Sequence, residues 1–177
     1  MDIPTSEKQD WQINLAWRQQ VVAFWSISWP AWLASFIPVT LLTNGSSAEQ
    51  IEADRGLTFL VAQFTFFAFQ SILTRRLVRK RYRSFRVEMI RDSDQHSGRF
   101  TTREAWLVWL RILWPQLLSL VLCSLIVWRS GNQPPERSFG SLWVLVNFFV
   151  AGPIGVGAAM RASYSGFKLQ GYGWRFI

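Results

Sequence analysis

Few residues in this 177-residue chain are of a type and spacing that could carry chemistry. His96 is the single histidine and Cys123 the single cysteine, and they lie far apart. A zinc or haem centre needs several such ligands, and a four-helix disulfide oxidase needs cysteine pairs. No metal site, cofactor ligand or disulfide is therefore expected. No Asp or Glu occurs within 21–42, 57–73, 105–128 or 141–160 once Glu104 is passed. That removes intramembrane aspartyl chemistry and carboxylate proton relays. There is no glycine-rich phosphate loop, and no His or Lys is placed to activate a serine. The sequence names no catalytic residue, and the expectation is a protein that is not an enzyme.

What remains is a sparse polar set inside apolar stretches: Gln63, Gln70, Arg111, Gln116 and Asn147. In hydrocarbon each such group needs a partner. Gln63 and Asn147 are expected to bond to one another between helices, or else to line a polar path. Arg111 is expected to snorkel to the nearer interface with its stem along lipid.

The elements that must hold these residues follow from where charge is missing. Val21–Leu42, Leu57–Leu73 and Ser141–Met160 carry no charged residue, and Ala105–Trp128 carries only Arg111. About 20 apolar residues at 1.5 Å rise cross the roughly 30 Å hydrocarbon layer. The fold expected is all-α and integral to the membrane. It is a single domain, 1–177, with spans over about 15–42, 57–78, 105–128 and 141–162. The polar opening MDIPTSEKQD and the length of the first span argue for a retained helix rather than a cleaved signal. Trp11, Trp17, Trp106, Trp109, Trp128 and Trp143 fall near the span ends, as an aromatic belt would. Trp25, Trp29, Trp32 and Trp114 lie deeper and are expected to pack.

Lys and Arg set the orientation. The loop 75–104 holds ten Lys/Arg against three acids up to Arg103, and 43–56 holds one Arg against three acids. The loop supplies most of the formal net charge of +8. Both termini, the loop and the tail 163–177 are expected on the cytoplasmic side of a bacterial inner membrane. Arg75, Arg76, Arg79, Lys80, Arg81, Arg83 and Arg86 crowd the start of the loop. If helix continues there, Val78, Tyr82, Phe85 and Met89 share a face and form a basic amphipathic helix. Such a cluster suits anionic lipid, or an acidic cytosolic protein. Nucleic acid is the least favoured partner, since no binding fold surrounds the patch. The alternation in Phe85–Met89 and in Gly171–Ile177 also admits a small sheet pairing these two segments.

Two further patterns bear on assembly. Trp29-Pro30 and Trp114-Pro115 are followed at similar distances by Gly56 and Gly140, then by Gln63-Phe64 and Asn147-Phe148. This suggests a duplicated two-helix hairpin related by a pseudo-two-fold axis along the membrane normal. Ala151, Gly155, Ala159 and Ser163 recur every four residues, a ladder that lets helix backbones approach closely. It is expected to mark where a helix docks, from this chain or from another subunit. The leading functional reading is a non-catalytic integral subunit or assembly factor of a bacterial inner-membrane complex. The second is a small oligomeric transporter or channel component with its path near Gln63, Asn147 and Arg111. A third is a membrane enzyme acting on lipid or isoprenoid phosphates.

Overall fold

The computed structural model describes residues 11–44, 46–47, 50, 55–91, 96–97, 99–129 and 142–173. The loop 130–138, Gly140 and the Trp174-Arg175-Phe176 segment lie outside these residues. Four helices are long and apolar enough to cross a membrane. They are α1 (Trp17–Thr43), α2 (Arg55–Leu73), α4 (Thr102–Arg129) and α5 (Leu142–Arg161); a single turn, α3 (Arg76–Arg79), follows α2.

Local sequence explains the helix boundaries. The Gln19 side chain accepts from the Ala16 N–H (2.9 Å) at the start of α1. At the start of α4, the Thr101 N–H donates to Glu104 (2.6 Å) and the Glu104 N–H donates to the Thr101 hydroxyl (3.3 Å). Those reciprocal bonds are a capping box that satisfies otherwise unpaired donors. α5 contains a wide π turn over Asn147–Ala151. Pro153 follows directly. A proline ring clashes with the carbonyl four residues back and donates no hydrogen bond. One extra residue in the turn relieves that conflict, with the Gly152 N–H reaching the Asn147 carbonyl.

The chain is not all-α. Five strands form one antiparallel sheet: β1 (Trp11–Ile13), β2 (Phe85–Arg91), β3 (His96–Ser97), β4 (Ser163–Tyr164) and β5 (Phe167–Gly173). The order is β1-β5-β2-β3, with β4 paired to β5. The central register runs from Phe85 opposite Gly173 to Arg91 opposite Phe167. The basic amphipathic helix expected after the second span is therefore absent, because helix ends at Arg79 and Lys80 turns extended. The same apolar residues are buried by a period of two instead. Phe85, Val87 and Met89 face one way with Phe167 and Leu169. Pairing with β5 satisfies the backbone, and it spreads arginines that a helix would stack at like-charged spacings.

The inward face of the sheet and the helix interior form one continuous core, from Phe24, Ile27 and Phe148 to Phe85, Val87, Met89 and Leu169. The sheet is thus a cap on one end of the bundle. Since β1 precedes α1, β2 follows α2 and β5 follows α5, those three segments share that end.

The sheet has a second regularity. Tyr82 and Phe85 flank a tight turn with their rings stacked 4.4 Å apart, and 82 residues later Tyr164 and Phe167 do the same at 4.5 Å. β2 and β5 each begin at that Phe and run seven residues. On the flanks, Gln12 and Ile13 oppose Tyr172 and Gly171, while His96 and Ser97 oppose Ile90 and Met89.

Candidate functional site

The polar residues of the spans fall into two sets. Ser28 of α1, Gln70 of α2 and Gln116 of α4 are fully buried and bonded together. The Gln70 amide donates to the Ser28 hydroxyl (2.9 Å) and to the Gln116 carbonyl oxygen (3.3 Å). The Gln116 amide donates back to Gln70 (3.2 Å) and to the Ile112 carbonyl (3.0 Å). This reciprocal pair ties three helices at one level, and interhelical bonds of this kind contribute about 0.6–2 kcal/mol each in membranes. Ser28 was not legible as a site residue. Serines in apolar helices usually bond their own preceding turn, as Ser35, Ser71 and Ser124 do here.

The second set is unsatisfied. Asn147 is fully buried and neither its amide nitrogen nor its carbonyl oxygen has a partner. The carbonyl oxygen of Gln63 and the indole nitrogen of Trp143 are also buried and unpartnered. The expected bond between Gln63 and Asn147 is not made. The two do lie at similar depth. The Phe66 and Phe148 rings are 6.3 Å apart, Gln63 is about one turn outward of Phe66, and Asn147 adjoins Phe148. An unpaired buried amide group costs about 1–3 kcal/mol, and Asn147 is the residue at which the π turn begins.

Of the ladder on α5, Ala151, Gly155 and Ala159 are buried. A Cβ on Gly155 would lie 2.6 Å from the Ile112 carbonyl oxygen and 2.9 Å from its Cα, so α4 and α5 meet backbone to backbone. Gly152 lies against the Phe24 ring and Gly157 against the Gln20 amide, both from α1. The helix that fills this face comes from the same chain. Ser163 does not belong to it, because α5 ends at Arg161 and Ser163 is exposed on β4. The deep tryptophans divide as well. Trp25, Trp29 and Trp32 stack along α1 at 5.9 and 5.3 Å, whereas Trp114 points outward.

The basic residues surround the capped end, and several are engaged. Arg75 donates to the Thr102 hydroxyl (2.8 Å), and Arg86 pairs with Glu88 (2.8 Å) and lies over the Tyr172 ring. Lys80 sits 5.8 Å from the Tyr82 ring centre. Arg76, Arg79, Arg81 and Arg83 are exposed. Arg111 is exposed on α4, and its charge acts on the Tyr164 phenol beyond the end of α5. Its head is thus directed to the capped end. Burial dominates at Tyr164 and pushes its pKa up to about 12, with Arg111 pulling the other way. Burial likewise raises Tyr82, opposed by the 2.8 Å bond between its hydroxyl and that of Ser26. Cys123 is buried and unpaired. Among the described residues no group of three or more His, Cys, Asp or Glu could hold a metal. The chain is a multi-pass helical bundle capped by a sheet. No family model matches it, and no curated protein and no solved structure shows significant similarity to it.

Proposed function

We propose that this protein is a non-catalytic integral subunit or assembly factor of a bacterial inner-membrane complex, built as a rigid platform. The observation that carries the reading is the single core shared by sheet and bundle. It fixes a cluster of charged side chains rigidly to the membrane anchor, as a docking partner requires. The capped end is cytoplasmic: the segments that share it carry most of the Lys and Arg. Both termini then face the cytoplasm, and an acidic protein or the leaflet itself would meet Arg81, Arg83 and their neighbours. The bundle is an ancient duplication of a strand–helix–helix–strand unit. The palindromic strand order β1-β5-β2-β3 and the paired Tyr–Phe turns support this. The experiment is purification in gentle detergent with mass spectrometry of what co-elutes. Stoichiometric membrane partners are expected, and a clean, companion-free monomer would overturn the proposal.

One observation favours a second reading, that of a transporter or channel component: the unpaired Asn147 amide at a depth similar to that of the unpaired Gln63 carbonyl oxygen. Asn147→Leu removes an unpaired buried amide, so stability should hold or rise. Loss of solute flux in reconstituted vesicles from a variant that remains folded would favour transport. Unchanged flux would reject the path.

A further inference from the structure

The basic residues at the capped end are not equivalent. Arg75, Lys80, Arg86 and Arg91 are each committed to a side chain of this chain, and Arg161 to the Gly157 carbonyl. Arg76 and Arg79 are exposed, and among the described residues their side chains make no hydrogen bond or ion pair. They stand where an apolar stripe ends. On α2, Leu60, Phe64, Ala68 and Ile72 recur every four residues, all exposed, with Phe64 77% and Ile72 63% accessible. At the joint Arg75 keeps right-handed helical angles (φ −58, ψ −22) and the Leu77 N–H bonds the Thr74 carbonyl, so a tight turn sets Arg76 just beyond Ile72 at the end of the stripe. Arg79 follows one turn on. The small Ala68 leaves a shallow notch between the larger Phe64 and Ile72.

The dimensions match one lipid monolayer. Phe64 to Arg76 is twelve residues, about 18 Å of helix, against half of the roughly 30 Å hydrocarbon thickness. We infer that this face of α2 binds an anionic glycerophospholipid of the adjoining leaflet. Its acyl chains lie along Phe64, Ala68 and Ile72, and its phosphate is held by Arg76 and Arg79. The charge decides the class of occupant. Two guanidinium groups one turn apart, with no carboxylate of their own, suit a phosphodiester that carries no compensating ammonium. An apolar helix of another subunit would leave both arginines unpaired. The inference rests on the chain spanning the membrane and does not depend on which side the capped end faces.

Native mass spectrometry of the protein released from mixed phosphatidylglycerol and phosphatidylcholine micelles tests it. The wild type should retain phosphatidylglycerol preferentially. Arg76→Gln with Arg79→Gln should lower that preference by about tenfold, with thermal unfolding unchanged because both side chains are exposed. Arg18→Gln with Arg103→Gln changes the charge equally at the same rim and should keep the preference. Equal retention of both lipids by the wild type would overturn the site. So would an equal loss in the control pair, which would mean diffuse attraction to the rim. Co-elution of partners reads the subunit proposal separately, so either can fail alone.

Discussion

α2 and α5 occupy corresponding places in their hairpins, yet they end in opposite surroundings. Only 11% of the α2 apolar stretch is buried within the chain, against 56% for α5. Side-chain size separates them. α5 offers Ala151, Gly152, Gly155, Gly157 and Ala159 to its neighbours, so α1 and α4 close to backbone distance. α2 carries Phe59, Phe64, Phe66, Phe67 and Phe69, of which Phe64 and Phe69 face outward while Phe66 packs inward near Phe148. Hydropathy does not distinguish central from peripheral helices in lipid, because the tails are as apolar as leucine. Steric access does. A second difference follows: the peripheral helix is anchored by a polar bond, Gln70 to Gln116 and Ser28, where the central one is anchored by close contact.

Substitutions can break this contrast in graded fashion. The largest effect is expected at Gly155. Gly155→Leu drives a side chain into the Ile112 backbone and should abolish the folded monomer. Gly155→Ala should cost about 1–3 kcal/mol, read as thermal unfolding in detergent. If both variants behave as wild type, α5 is not the close-packed centre. Next is the polar anchor of α2. Gln116→Leu leaves Gln70 under-bonded and should cost about 1–3 kcal/mol. The double change Gln70→Leu with Gln116→Leu should recover part of that loss. A double variant worse than the single would refute the pairing.

Alkaline pH should act on both halves. Tyr82 and Tyr164 are neutral in the fold and held above the ordinary 10.0. The unfolded chain ionises first, so stability is intact below pH 10 and falls from there towards about 12. Tyrosinate absorbance from these two residues should appear late and together with unfolding; early, reversible ionisation of Tyr82 and Tyr164 would contradict their burial. The smallest effect belongs to the outer face of α2. Leu60→Ala with Phe64→Ala should change stability by under about 0.5 kcal/mol. A large loss there would show that α2 is covered more than the chain alone covers it.

The four spans were legible because charge-free stretches of this length have few other uses. The sheet was legible only as an alternative. Phe85–Met89 satisfies both a helical repeat, through Val78, Tyr82, Phe85 and Met89, and an alternating one. The decision lies with β5, some 80 residues away in sequence, and no local pattern carries it. The ladder was visible at Gly155 but overran the helix at Ser163, because periodicity does not announce where Arg161 ends α5. Gln70 and Gln116 could be seen to need partners, while their mutual bond and Ser28 could not be seen. The contrast between committed and uncommitted arginines is set by the fold, not by the local sequence. Arg75, Arg76 and Arg79 are identical in sequence terms, and only Arg75 has a threonine within reach.

The strand order has a consequence for biosynthesis. β5 is the last element described along the chain, and it lies between β1 and β2 in the sheet. Until it emerges, among the described residues β1 has no strand beside it, and β2 has the two residues of β3 and the bridge from Arg86 to Arg81. The first hairpin must enter the bilayer with its cap incomplete, leaving the edges of two strands and the faces of Val87 and Met89 uncovered at the membrane surface. Every chain therefore passes through an interval, as long as translation of the second hairpin, in which an insertase or chaperone has something to hold. Closing of the sheet is the event that ends that interval.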